Sequence, residues 1–517
     1  MTRAREFFRQ ALQQLRLTKR RKHHFREKID LYLERLKRFP GVRKSGVSSG
    51  GVGVVLLPWL QTAVSMYSLE CARKLAASGV PVTIVWDPTD IFGCASNAWE
   101  VEQLERVVDA VRSEFEVINA VNASEDDSGA SAFLSELALE NAVQKQRGEE
   151  GAEEMLAQNP NLEQAMKAHT AKVRGLLRKR AFDWLLLPGG VWGTSGIYAG
   201  VAREIGLSVT TYDSGPSTLF IGQDGIAAHA CNIGEVTNEL LKEMAGNPAE
   251  RRRITEISQR QIEIRMRGQD EFRLQPVASG STRWQWDIVV ALNLRWDSAA
   301  LCRRHLFASV GDWLAQLVAW VEAHPMARLA IRQHPCEKLA THRGTDDFGK
   351  LLARHPRLAD RATYISAHDT INTYDLMAGA KVVLPFTSRV GIEAAMLGKP
   401  VILGSRCFYE ACGFTSSPAT IDDYFAAISE ALDGKRIVSE ESRERACVAY
   451  YLTECCLDLK TRFTAEPLDY AAWVRESPEK IWSEPQNEDL LRVLTCREPL
   501  ARVLYRRLTG ATAPPLN

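Results

Sequence analysis

The sequence predicts an α/β protein of two Rossmann-like domains facing a central cleft, with a basic N-terminal helix and a C-terminal helical region. Three observations carry this reading. From Lys381 to Thr415 an apolar run, Val382 to Leu384, leads through Pro-Phe-Thr-Ser into a helix near Arg389. Gly398-Lys399-Pro400 and a second apolar run, Val401 to Leu403, follow. An earlier unit, VGVVLLP from Val52, is followed by a helix and by the strand PVTIVWD (81–87). A third series opens at DIVVALNL (287–294), so strands alternate with helices in two separate stretches.

At 517 residues the chain is long enough for two or three domains. Its hydrophobic fraction of 45% and charged fraction of 25% are those of a soluble globular protein. A formal net charge of +1 argues against a general nucleic-acid binder. Eleven cysteines form no CxxC pair, which suits reduced thiols in a cytoplasmic protein better than a disulfide framework or a zinc site. No apolar run has the length of a spanning helix, and no signal-peptide core follows the basic start, so the expected location is the cytoplasmic side of any membrane served.

Residues 1–50 read as a basic helical tail and linker, with fifteen Lys/Arg against four Asp/Glu up to Lys44. Phe7, Phe8, Leu12, Leu15 and Leu17 interleave with the charges, and Ile29, Leu31, Leu33 and Leu36 recur further on. Such a helix either associates peripherally with an anionic inner membrane through residues 1–44 or packs one stripe on the body. Ser45 to Gly53 reads as a flexible linker. Residues 51–275 form the first, acceptor-side domain. Its elements are the strand at 52, a turn at Trp59-Leu60-Gln61-Thr62, a helix to Ser78, and the strand at 81–87. A mainly helical insertion over 98–180, FDWLLLP (182–188), a helix near 195–205 and SVTTYD (208–213) complete it. It has no GxGxxG fingerprint, so a dinucleotide is not indicated. A long charged helix (235–275) leaves this domain. Residues 276–440 form the second, nucleotide-binding domain, with ARLAIRQH (327–334) and RATYIS (361–366) among its strands and helices near 309–323 and 346–354. Residues 441–517 read as C-terminal helices.

Ligands of open α/β sheets bind beyond the carboxyl ends of the strands, and four clusters sit there. In Arg332-Gln333-His334-Pro335-Cys336-Glu337 the histidine can donate to a phosphate oxygen while Pro335 fixes the turn. The pairs His324-Pro325 and His355-Pro356 show that the dipeptide also serves as an ordinary turn. Thr387-Ser388, ahead of Gly391-Ile392-Glu393, places two hydroxyls where a phosphate sits and Glu393 within reach of ribose hydroxyls. Either hydroxyl also suits a helix cap. Asp213, in Tyr212-Asp213-Ser214-Gly215, can deprotonate an acceptor hydroxyl, attack an anomeric carbon, or form an Asx turn. Asp224 is a competing carboxylate. Arg295, beside Asp297-Ser298, can offset donor charge or flank a capping loop, and Arg406 and Tyr409 lie at the same end of strand 401–404. No Asp-x-Asp motif ends a strand, so neither a metal nor a cofactor is expected.

Together these elements resemble the capsule polysaccharide biosynthesis family of bacterial glycosyltransferases, the KpsC/KpsS-like group, over roughly residues 205–415. The resemblance rests on Asp213…Gly215 before Gln223-Asp224-Gly225, the Asp297-Ser298 loop, and Arg332…His334-Pro335…Glu337. It continues with Ser388…Gly391-Ile392-Glu393-Ala394 through Gly398-Lys399-Pro400, and ends in Phe408-Tyr409…Gly413-Phe414-Thr415. The His-Pro and paired-hydroxyl motifs are also similar to those of bacterial sialyltransferases. The resemblance implies a metal-independent, GT-B-like enzyme that moves an acidic, Kdo-like sugar from a CMP-sugar donor to a bacterial surface glycan or glycolipid acceptor. It further implies that His334, Thr387 and Ser388 bind CMP, Glu393 its ribose, and that Asp213 is the catalytic carboxylate, a base if the reaction inverts and a nucleophile if it retains. Related enzymes carry an acidic-Asp-Gly triplet where this chain has Tyr212-Asp213-Ser214-Gly215. Two alternatives remain at this stage: a UDP- or GDP-hexose transferase, and a non-catalytic nucleotide-binding component of a glycan assembly complex.

Overall fold

The computed structural model describes residues 2–41, 50–59, 63–92, 98–129, 131–269, 274–279 and 286–510, with side chains from residue 20 onward. The linker expected from Ser45 lies outside the described residues as far as 49. So do most of the turn at 59–62 and the side chains of Phe7, Phe8, Leu12, Leu15 and Leu17.

The strands are β1 (Val52–Leu56), β2 (Val82–Trp86), β3 (Glu116–Asn119), β4 (Trp184–Pro188), β5 (Ser208–Gly215) and β6 (Thr218–Gln223) in the first half. They continue with β7 (Ile288–Ala291), β8 (Leu329–Arg332), β9 (Ala362–Ile365), β10 (Val382–Pro385) and β11 (Asp458–Lys460). The first sheet runs β11-β6-β5-β4-β1-β2-β3 and the second β10-β7-β8-β9. Five strands of the first sheet, and all four of the second, are parallel. These are two Rossmann-like domains, and their strands are continuous apolar runs because helices cover both faces. Val54 and Leu56 enter one core while Val55 and Leu57 enter the core on the opposite face. Val289 and its neighbours Ile288 and Val290 divide in the same way in the second sheet.

The insertion at 98–180 is mainly helical, as expected, and holds one strand the sequence did not mark: Glu116–Asn119 pairs with β2 as the parallel edge strand β3. Its four residues are all half-buried, so no apolar run marks them. Beyond residue 441 the chain is predominantly helical, as expected, with one short strand added. Helix Glu440–Cys455 packs on helix Pro248–Met266, and β11 then pairs antiparallel with β6, extending the first sheet. The apolar run Val401–Leu403 forms isolated bridges, Val383 to Val401 and Ile402 to Ser416, rather than a strand.

The basic tail is one helix, Thr2–Arg38. Phe25, Ile29, Tyr32 and Leu36 recur at helical spacing and are buried in the first core. Arg35 donates to Glu70 at 2.6 Å with both side chains at most 1% exposed. The second part of this helix is therefore packed on the body. Among the described residues no helix is long and apolar enough to cross a membrane.

Candidate active site

The carboxyl ends of the two sheets face one another. In the second sheet the strand order reverses between β7 and β10, the place where such sheets bind ligands. A cavity of about 520 Å³ opens there, walled by Asn293, Asp297, Arg332, His334, Thr387 and Ser388 from the second domain and by His229 from the first. That volume lies within the range of about 300–1,000 Å³ usual for small-molecule sites.

Arg332 ends β8 and is 1% exposed. Its Nη1 donates to the Ser366 carbonyl, while Nε and Nη2 are buried without a partner. Burial pushes the guanidinium below its ordinary value, against the nearby Asp369 and Tyr364. A buried cation with two unpartnered nitrogens on a cavity wall is costly unless an anion meets it. His334 stands two residues further on. Its Nδ1 accepts the Cys336 N–H at 3.2 Å, capping the turn that Pro335 begins. Burial, then the charges of His342, Arg332 and Arg389, lowers the imidazole to about 4. A neutral ring whose Nδ1 accepts must carry its proton on Nε2, leaving that nitrogen as a donor.

Across β7, Thr387 and Ser388 follow β10. Ser388 Oγ accepts the Val390 N–H at 3.3 Å, as a cap would, and the Ser388 carbonyl accepts from the Tyr409 hydroxyl at 2.6 Å. Gly391 is required here because a Cβ would stand 2.3 Å from the Tyr409 hydroxyl. Glu393 lines the cavity, but its two oxygens already accept from Arg265 Nη1 at 2.6 Å and the Tyr374 hydroxyl at 3.0 Å.

Other expected residues lie elsewhere. Glu337 accepts from Gln333 Nε2 at 3.0 Å and the Gly344 N–H at 3.2 Å, bracing the loop behind the cavity. Arg295 is 6% exposed and spends its guanidinium on Glu140, at 2.8 and 3.0 Å, and on Glu149, at 2.6 Å. It ties the insertion to the second domain and is absent from the cavity wall. Arg406 is exposed on a neighbouring cavity. Asp224 accepts from the Val209 N–H and Arg497, a turn role that holds its carboxyl below the usual range despite burial.

Asp213 sits at the carboxyl edge of the first sheet, on β5. It does not line the cavity, but its carboxyl meets the Asp297-Ser298 loop that does. Burial, followed by the Asp297 charge, raises its pKa, while the Ser214 N–H at 2.8 Å and the Ser298 hydroxyl act the other way. The sequence reading missed His229 and Arg303, which also wall the cavity. Arg303 lies only five residues beyond Ser298, in the loop already singled out. His229 had no local signal, because it reaches the cleft through the pairing of β5 with β6.

Residues 254–431 match the family model described as capsule polysaccharide biosynthesis protein. The resemblance read from the sequence is borne out over that segment. No curated protein matches the chain. Among solved structures, it is similar to Thermosulfurimonas dismutans KpsC β-Kdo 2,4 transferase at 17% identity, covering 52% of this chain and 79% of that one, with a TM-score of 0.32. The β-Kdo 2,7 transferase of the same KpsC is 19% identical, with 59% and 87% covered and a TM-score of 0.32. A UDP-GlcNAc 2-epimerase from Neisseria meningitidis is 11% identical, with 77% and 95% covered and a TM-score of 0.23. Likenesses this distant carry no functional argument.

Proposed function

We propose that the protein is a capsule-type glycosyltransferase that moves an acidic, Kdo-like sugar from a CMP-sugar to a surface glycan or glycolipid. The observation that supports it best is Arg332, a buried guanidinium with two unused nitrogens on the wall of a cavity it shares with His334, Thr387 and Ser388. A single phosphate suits this set. Arg332 balances its charge, His334 Nε2–H donates to one oxygen, and the hydroxyls donate to others. These contacts strengthen as the bond from the anomeric carbon to the phosphate oxygen breaks and charge collects on the leaving CMP.

Asp213 is the proposed catalytic carboxylate. In an inverting reaction it takes the proton of the acceptor hydroxyl as that oxygen bonds to the anomeric carbon. In a retaining reaction it bonds to that carbon as CMP leaves, and is then displaced by the acceptor oxygen, whose proton passes to the phosphate of the departed CMP. A raised pKa makes the carboxylate the stronger base. The basic residues 1–44 are proposed to hold the enzyme against an anionic membrane, to be read by sedimentation with phosphatidylglycerol vesicles.

Thermal unfolding with CMP, UDP and GDP tests the donor, and the expected result is a rise in midpoint with CMP. Stabilisation by UDP or GDP alone would overturn the CMP assignment. Binding of CMP without donor hydrolysis or transfer would favour a non-catalytic component. Transfer is expected to be unchanged by EDTA.

A further inference from the structure

A second cavity, of about 720 Å³, abuts the first, and His229, Arg303 and Phe408 belong to the walls of both. Arg303 donates to the carbonyls of Arg406 at 2.9 Å and His229 at 3.2 Å, both neutral acceptors. His229 Nε2 is buried without a hydrogen-bond partner. The carbonyls of Leu301 and Ser298 lie against its ring, and the Ser298 hydroxyl bonds Asp213. The shared wall is thus contiguous with the carboxylate proposed for catalysis.

The remaining walls bring cations and carboxylates together from both domains: Arg203 and Glu235 from the first, Arg406 and Glu410 from the second. Arg406 and Glu410 come no closer than 3.8 Å, too long for a hydrogen bond, so neither consumes the other's donors or acceptors. A sugar ring presents neighbouring hydroxyls, each both donor and acceptor, and a wall offering guanidinium and carboxylate groups side by side matches them. Transfer also requires the acceptor oxygen about 3–3.5 Å from the anomeric carbon, so an acceptor site must share a wall with the donor site.

We infer that the second cavity binds the saccharide end of the acceptor, with His229, Arg303 and Phe408 as the threshold across which its hydroxyl meets the donor sugar. The inference rests on reading the first cavity as a donor site, and its test separates the two. Kdo monosaccharide and lactose serve as acidic and neutral probes, followed by saturation-transfer NMR on the full chain with excess CMP. CMP binding is read separately by thermal shift.

The expected result is a saccharide signal that persists under CMP and falls at least fivefold in the Arg203→Ala/Glu235→Ala variant, whose CMP shift is unaltered. Both substituted residues are exposed, so the variant is expected to fold. A signal from either probe that behaves this way supports the site, and a preference for one identifies the charge of the acceptor. No saccharide signal in the unaltered protein, an undiminished signal in the variant, or complete displacement by CMP would overturn the inference. Absence of a CMP shift would instead remove the donor reading, and the saccharide result would stand by itself.

Discussion

Two side chains of the proposed chemistry, His334 and Asp213, each make a different demand on experiment. His334→Ala removes one donor from the phosphate site, so transfer is expected to fall about 100-fold in kcat/KM. Unchanged steady-state kinetics would exclude the residue from donor binding. The same imidazole shapes stability. An unfolded histidine protonates near its ordinary value of about 6.5, whereas His334 holds off until about 4 in the folded protein. The unfolded state therefore binds more protons across that window, and stability drops as pH falls from 6.5 towards 4. His334→Gln should flatten this slope in thermal midpoints recorded against pH. Asp213 has the opposite sign. Its raised pKa means the folded state keeps its proton longer, so ionisation costs stability as pH rises through the window above the usual carboxylate value. Asp213→Asn is expected to cut transfer by about 10²–10⁴-fold while leaving the protein as stable at pH 7 or more so. A less stable variant with full activity would contradict both halves of that expectation.

At the scale of the element, the turn after β10 depends on a glycine whose place a side chain can take only by displacing Tyr409. Gly391→Ala would drive a Cβ into the Tyr409 hydroxyl and break its bond to the Ser388 carbonyl. The expected cost is about 1–3 kcal/mol in urea unfolding, with weakened CMP binding because Ser388 loses its brace. Equal stability and affinity in the variant would show that the close approach is dispensable. The parallel strands were legible because VGVVL, WLLLP and VVLP are uninterrupted apolar runs punctuated by Gly or Pro. β3 and β11 were not, because edge strands of three or four residues bury too little to leave a periodic signal. The helix at 2–38 was evident, yet whether its apolar stripe met lipid or the body was not. Phe25 and Tyr32, buried beside Ile29 and Leu36, answer this for its second part.

Across the whole molecule, the insertion grips the second domain through a buried network. Glu149 accepts from Arg295 Nε and from the N–H groups of Val310 and Gly311, while Glu140 holds both Arg295 and Arg304. Glu149→Ala takes one carboxylate from a buried guanidinium that Glu140 still holds and leaves the Val310 and Gly311 N–H groups without their acceptor, a change expected to cost about 1–3 kcal/mol in urea unfolding. It is also expected to loosen the two domains, visible as a larger radius of gyration in small-angle scattering. A variant as compact and stable as the parent would show that the network does not hold the cleft. The sequence by itself determined where strands end, and therefore which residues reach the cleft edge: Arg332, His334, Thr387, Ser388 and Asp213 were readable from local pattern alone. Only the tertiary structure decided what each meets there. Arg295 is claimed by Glu140, 155 residues away, Glu393 by Arg265, 128 away, and Arg332 is left with two nitrogens unclaimed. Local pattern follows from backbone periodicity and the burial of near neighbours. The pairing of a buried charge depends on which distant carboxylate the completed fold brings within reach, and no stretch of chain carries that information.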